Sequence, residues 1–332
     1  MKRIVLAASG SPDLAAAIEA LRAKHRAEII TLTVDLGGEF LQHVQDAALT
    51  AGARRAHVLD GRERFASEFI LPGLKAEALA ARVPCFDALA ATYVASQLVE
   101  IARLEGAHHV AHGAPRNSRT HRRIERAVRA IDPRLDVIPR SWPLGGGRGA
   151  DGSSVRSAAP RPQRRAVVAV TFDRGVPVEV NGVPMSLPDL IDSVSTIAAA
   201  HGIGAGQSTD AARRSGPSAL VVLQAAHHEI LRQRSSPELE RFFHQASDRY
   251  ADVIATGNWF TPMRRALDAF VDAVHEDLTG VATVSIANGV CEVVNDEVPA
   301  STGDRGRHAD DAVGIPAGAS AAAARDSFVV VR

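Results

Sequence analysis

The chain is poor in the residues that staple or coordinate. Its 332 residues include 2 cysteines, Cys85 and Cys291, far apart and without a Cys-x-x-Cys spacing, which excludes a disulfide scaffold and a thiolate zinc cluster. Both read as buried, reduced thiols. Charge of one sign is also lacking: 38 Lys+Arg balance 38 Asp+Glu, so the global attraction that duplex binders exert on phosphates is missing and nucleic acid is not an expected partner. No apolar run approaches the roughly 18 residues of a membrane helix, so no membrane partner is expected. The opening run Met1–Ala8 meets Ser9-Gly10-Ser11-Pro12-Asp13 too early for a signal-peptide core, and a cytoplasmic protein is expected. What is present, 46% hydrophobic and 23% charged residues, suffices for one large core or two modest ones and excludes a wholly disordered chain.

Residues 1–142 repeat one theme, a short β-branched run followed by a segment with apolar residues at helical spacing, as in a parallel sheet covered by helices. Strands are expected at Arg3–Ala8, Glu28–Val34, Arg55–Leu59, His108–His112 and Leu135–Ile138. Helices are expected at Pro12–His25, Phe40–Gly52, Arg62–Ala81, Phe86–Glu105 and Arg119–Ile131. Residues 143–165 are rich in Gly, Ser, Pro and Arg and read as a flexible linker. Residues 166–295 form an α+β unit, with strands at Ala166–Val170 and Val176–Val180, and helices at Leu187–His201, Ser218–Arg232, Pro237–Ala255 and Thr261–Leu278. Asn181-Gly182 and Asn288-Gly289 predict two-residue hairpin turns. From 296 to 332 Ala, Gly, Asp and Arg dominate, with too little large apolar content to offset an ordering entropy of about 1–2 kcal/mol per residue.

The first strand runs into Ala8-Ser9-Gly10-Ser11-Pro12-Asp13 and then a helix, an arrangement that aims backbone N–H groups at a phosphate. It matches neither the dinucleotide-binding GxGxxG turn nor the Walker loop. It resembles the pyrophosphate loop SGGxD[ST][ST] of ATP pyrophosphatases. Further segments are similar to one family within that group, the argininosuccinate synthases: Thr33-Val34-Asp35-Leu36-Gly37, Phe69–Ala76, Leu98–Ala102, His112-Gly113, Gly175-Val176-Pro177-Val178, Trp259-Phe260-Thr261-Pro262 and Ala266–Phe270. The likeness runs in order through nearly all of residues 2–295.

The resemblance implies an α/β, HUP-like adenine-nucleotide domain followed by an α+β synthetase and oligomerisation domain, assembled as a homo-oligomer, usually a tetramer. The implied reaction is ATP-dependent C–N ligation, in which ATP with Mg²⁺ activates the ureido oxygen of citrulline, pyrophosphate leaves, and the amine of aspartate displaces AMP. Carried over residue by residue, Ser9, Gly10, Asp13, Val34 and Gly113 would meet the nucleotide, with Asp13 the candidate catalytic residue, and Arg123 would contact a substrate carboxylate. Asp13 has two open readings, orientation of phosphate or Mg²⁺ and simple charge at a helix N-terminus.

The chain departs from the family at several of these points. In the loop, Ser11, Pro12, Leu14 and Ala15 replace a glycine, a donor and two hydroxyl residues. In the amino-acid motifs Val83, Asp87 and Ala91 stand for tyrosine, threonine and arginine, and Pro115, Arg119 and Thr120 for threonine, asparagine and aspartate. Two family stretches, N-L-W-G-R-[ES] and G-x-K-[ST]-R-x-x-Y-E, have no counterpart. The expectation is weak or absent turnover of citrulline with aspartate. Asp87 becomes a candidate contact for a different, cationic amino-acid substrate, and a non-catalytic binding or assembly role stays open beside it.

The remaining clusters have plainer readings. Arg116, Arg119, Arg122, Arg123, Arg126 and Arg129 form either an anion patch or a solvated helix face, the second being favoured, and the absence of interleaved aromatics speaks against base stacking. His108, His109 and His112 on a strand, and His227-His228 side by side on a helix, lack metal-ligand spacing and read as structural.

Overall fold

The computed structural model describes residues 2–8, 13–37, 41–79, 85–142, 165–203 and 215–294. The expected linker, apart from Arg165, and the C-terminal stretch 296–332 lie outside them, as do Ser9 and Gly10. Near-continuous apolar runs form a parallel sheet from β1 (Arg3–Ala7), β2 (Glu28–Asp35), β3 (Arg55–Asp60), β4 (His109–Pro115) and β5 (Asp136–Arg140), in the order β3-β2-β1-β4-β5. Such runs are required because both faces are covered. The two-residue strand period divides β1 between them: Ile4 and Leu6 pack with α1 (Leu14–His25) and α2 (Leu41–Thr50), whereas Val5 packs with α5 (Cys85–Glu105) and α6 (Arg119–Ile131).

One expected helix, Arg62–Ala81, is corrected by the structure. The chain there forms α3 (Arg62–Phe65), a π-helical turn (Ala66–Ile70) and α4 (Leu71–Lys75). Pro72 has no N–H to donate, so the α-helical ladder cannot run through it, and the bond pattern relaxes to the wider turn before it. The segment ends at Glu77, which takes φ +52°, while Glu77 N–H donates to the Leu74 carbonyl and Ala78 N–H to that of Gly73. This is a Schellman end with a glutamate where glycine is usual.

The second sheet is antiparallel, built from β6 (Ala166–Asp173), β7 (Val176–Val180), β8 (Val183–Pro184), β9 (Gly280–Ala287) and β10 (Val290–Val293) in the order β10-β9-β6-β7-β8. Both hairpins turn as the sequence predicts, with positive φ at Asn181 and Gly182 and at Asn288 and Gly289. Against it pack α7 (Leu187–Ala200) and α8 (Ser215–Arg234), followed by α9 (Pro237–Thr256) and α10 (Pro262–His275). Ser186 and Ser236 cap α7 and α9 by accepting from backbone N–H groups.

Two of the contacts between the halves position the site. Phe65, Phe69 and Tyr93, which precede β4 in the chain, belong to the same buried cluster as Phe172, Tyr250 and Trp259, and the Phe69 ring stacks on Trp259 at 5.3 Å. At the second, Arg123 Nε donates to the Ala255 carbonyl at 2.7 Å and Arg126 Nη1 to that of Thr256 at 2.9 Å, so two arginines of α6 satisfy the open C-terminal end of α9. The chain leaves α9 through Gly257 at φ +77°, where a Cβ would stand 2.8 Å from Arg123 Cα. Gly257→Ala therefore meets both a left-handed backbone and a backbone clash. It is expected to lower unfolding stability by on the order of 2 kcal/mol, measured as a fall in the urea midpoint at unchanged m-value.

Candidate functional site

Strand β1 pairs with β2 on one side and β4 on the other, Leu6 facing both Thr31 and Ala111. Crossovers diverge from this point, and in such sheets ligands bind in the crevice at the carboxyl ends of the strands. The register sets Leu32 beside Ala7 and Ala111 beside Leu6, the last pairs of β1 with β2 and with β4. Val34 and Gly113 each lie two residues beyond those pairs, towards the carboxyl ends of β2 and β4. Asp13 is the N-cap residue of α1, its carbonyl accepting from Ala17 N–H at 2.9 Å. Val34 is half-buried between both cores, while Gly113 is exposed and a Cβ there would meet nothing within 4 Å. Beyond Val34 the chain turns sharply, with Gly37 N–H donating to Asp35 Oδ1 at 2.8 Å.

The other two site residues are arranged differently from each other. Asp87 is exposed in the first turn of α5. Arg123 is 7% exposed and Nε is committed to the Ala255 carbonyl. Burial pushes its guanidinium down from its usual range, with Arg119 adding to that and Cys85 and Asp87 opposing it, so Asp87 lies close enough to act on Arg123 electrostatically. Arg119 and Thr120 are exposed in the first turn of α6, and Pro115 closes β4 after an irregular register between Ala111 and Pro115. Beside the carboxyl end of β2 is a small cavity of about 40 Å³ lined by Leu36, Gly37, Phe65, Phe86, Ile191 and Asp192, among others. It has room for water rather than for an amino acid.

His112, just inside the crevice, is 2% exposed and its protonation follows from its partners. Ala114 N–H donates to His112 Nδ1 at 3.1 Å, so the ring hydrogen sits on Nε2, which donates to His121 Nδ1 at 3.0 Å. Burial, with His121 alongside, pushes the His112 pKa down to about 4, in keeping with a neutral ring.

A nucleotide-type α/β sheet with an open switch-point crevice, followed by an antiparallel sheet and helices, defines a two-part synthetase fold. The family models described as "Arginosuccinate synthase N-terminal HUP domain" and "Arginosuccinate synthase C-terminal domain" match residues 3–148 and 153–306. Among curated proteins, the argininosuccinate synthase of Dictyoglomus thermophilum is 30% identical over 92% of this chain and 90% of its own length. That of Rubrobacter xylanophilus is 30% identical over 90% and 86%, and that of Thermoanaerobacter sp. 28% identical over 87% and 84%. The chain belongs to the argininosuccinate synthase family.

The sequence reading did not single out Glu77, which gathers a buried histidine cluster. Its Oε1 lies 3.2 Å from His227 Nδ1 and its Oε2 3.0 Å from His228 Nδ1, while His227 Nε2 meets His275 Nε2 at 2.9 Å. His275 Nδ1 must donate to the Val271 carbonyl at 2.6 Å, leaving Nε2 as acceptor in the neutral ring. Burial and His227 push His275 down to about 4, so it stays neutral. His227, fully buried, therefore donates from Nε2 to His275, and its Nδ1 stands against the Glu77 carboxylate. Burial would raise the Glu77 pKa, yet hydrogen bonds from His227 and His228 outweigh it and hold it at about 2. The signal available in the sequence was the adjacent pair His227-His228, but nothing in the chain order links it to Glu77 or His275.

The hydrogen bond to Glu77 raises the His228 pKa above 6.5, so its contribution is complete below pH 6.5 and is lost as pH rises through the raised value. The Glu77 contribution is complete above its ordinary 4.5 and is lost as pH falls towards 2. Glu77→Gln is expected to cost on the order of 3 kcal/mol near neutral pH and to flatten both limbs, read from urea unfolding between pH 3 and 9. Unchanged limbs in the variant would show that the cluster is not their source.

Proposed function

We propose that the protein is an ATP-dependent C–N ligase of the argininosuccinate synthase type, whose amino-acid pocket has been rebuilt so that citrulline and aspartate turn over slowly or not at all. The observation that supports this reading is the parallel sheet in the order β3-β2-β1-β4-β5, with its switch point at β1, taken together with altered substrate positions. Val34 and exposed Gly113 lie towards the carboxyl ends of β2 and β4. At the amino-acid side, Asp87 stands exposed near an Arg123 whose Nε is already bonded to Ala255.

ATP is a substrate in this chemistry. A carbonyl-type oxygen of the first amino acid attacks the α-phosphorus, the bond to the β-phosphate breaks, and pyrophosphate leaves. The amine of the second substrate then displaces AMP from the activated carbon, losing a proton. Val34 would bound the base, Gly113 would let the ligand approach the backbone closely, and Ser9, Gly10 and Asp13 would face the phosphates. Mg²⁺ would arrive on those phosphates, because this ion is commonly held by substrate oxygens and a few carboxylates. A homo-oligomer, tetrameric by resemblance, and a cytoplasmic location go with this reading.

Asp87 argues for a first or second substrate carrying an extra positive charge, which a carboxylate near the site would favour and a neutral hydroxyl would not. A second reading, a binding or assembly protein without turnover, draws on Arg123: a residue expected to hold substrate is engaged in the joint between α6 and α9.

Purified protein with Mg·ATP is expected to release pyrophosphate when supplied with a cationic amino acid and an amine donor, at least tenfold faster than with citrulline and aspartate. Asp87→Thr is expected to reverse that preference. Absence of pyrophosphate release with every amino-acid pair, together with no ATP binding at millimolar concentration, would reject the ligase reading in favour of the binding protein.

A further inference from the structure

The six arginines on and before α6 divide by what they touch. Arg123 and Arg126 end on the carbonyls of α9. The side chains of Arg116 and Arg122 are exposed and make no hydrogen bond or ion pair with the described residues. They line an open groove of about 640 Å³ between α6 and the edge strand β5, together with Asn117, His121, Glu125 and Arg129, over an apolar floor of Val137 and Pro139. Residues 121, 125 and 129 follow one another at four-residue spacing, and residue 123 lies about 160° around the helix from 121. The groove residues 121, 125 and 129 thus lie on another side of α6 from Arg123, while Arg126, about 40° from Arg122, stands at the boundary between groove and joint.

His121 is the second observation that points to a ligand. The ring is 6% exposed, its Nδ1 is taken by His112 Nε2–H, and the remaining N–H on Nε2 lies 3.9 Å from the nearest carboxylate, Glu125 Oε2. That separation is too long for a hydrogen bond. The Nε2–H of this buried ring, fixed in direction by the neighbouring histidine, therefore reaches the groove it lines with no hydrogen-bond acceptor among the described residues.

We propose that this groove binds a phosphate monoester, its phosphoryl oxygens taken by Arg116, Arg122, the Asn117 amide and His121 Nε2–H, with the ester group resting on Val137 and Pro139. Glu125 already pairs with Arg129 at 2.9 Å, so three lining arginines against one glutamate leave two positive charges. A phosphate monoester carries about −1.5 to −2 at pH 7 and matches them. Guanidinium groups suit its oxygens because each can donate two parallel hydrogen bonds. The volume falls within the range of small-molecule sites, roughly 300–1,000 Å³. Zero net charge over the chain and the lack of aromatics in the groove favour a small ligand over a nucleic acid.

The test uses phenyl phosphate as the probe and the full chain, with saturating Mg·ATP present so that the crevice at β1 is not available to it. Calorimetry is expected to show one site, with affinity about tenfold or more weaker in Arg122→Gln and in Arg116→Gln, since each removes a charged hydrogen-bond pair. Both side chains are exposed, so the melting temperature should stay as in the parent. The His121 Nε2 resonance in long-range proton–nitrogen spectra should shift on addition of the probe and not in Arg122→Gln. Absence of binding at millimolar probe, equal affinity in the parent and both variants, or an unshifted His121 signal overturns the proposal. Displacement by a single-stranded oligonucleotide at lower concentration than phenyl phosphate would give the groove to nucleic acid and overturn it as well. None of these outcomes depends on whether the protein turns over ATP.

Discussion

The placement of Phe69 on Trp259 is the constraint on which the rest of the arrangement depends. By chain order the segment from Phe65 to Tyr93 belongs with the parallel sheet, but its side chains are buried in the cluster that also holds the antiparallel sheet and its helices. Burying aromatic surface of this size is worth more than any polar contact between the halves. It brings α9 against α6, where Arg123 and Arg126 close the end of α9 and Gly257 lets the backbones meet. Glu77 lies within the same segment, just after α4, and its left-handed backbone is offset by the histidines gathered on its carboxylate.

This organisation separates fold from chemistry. The two family models match residues 3–148 and 153–306, so membership of the argininosuccinate synthase family extends over both units. Four of the residues that differ, Asp87, Pro115, Arg119 and Thr120, are exposed at strand or helix ends, whereas Leu14 is part of the core beside α1. A family scaffold can therefore keep its nucleotide crevice while the amino-acid side is rebuilt, because the two rest on different atoms.

Helix α6 shows the same division within a single element. Arg123 and Arg126 are used against helix carbonyls, and beside them Arg122 lines the groove with His121, Glu125 and the Glu125-paired Arg129. A helix with this many cations on all sides reads from sequence as a solvated surface. Its packing gives these arginines separate roles.

Periodicity in the sequence was enough to determine the parallel sheet, the long helices α5 and α6, both Asn-Gly hairpins and the burial of Cys85 and Cys291, because each depends on local backbone preference and on one-dimensional apolar pattern. The break at Pro72, the meeting of Glu77 with His227, His228 and His275, the engagement of Arg123 by Ala255 and the opening of the groove beside His121 were not legible in it. Apart from the break, which a proline inside a helical pattern could have signalled, these join residues from 9 to about 150 positions apart. Only the packing of one unit against the other, or of a helix against an edge strand, decides which polar groups find partners and which are left open.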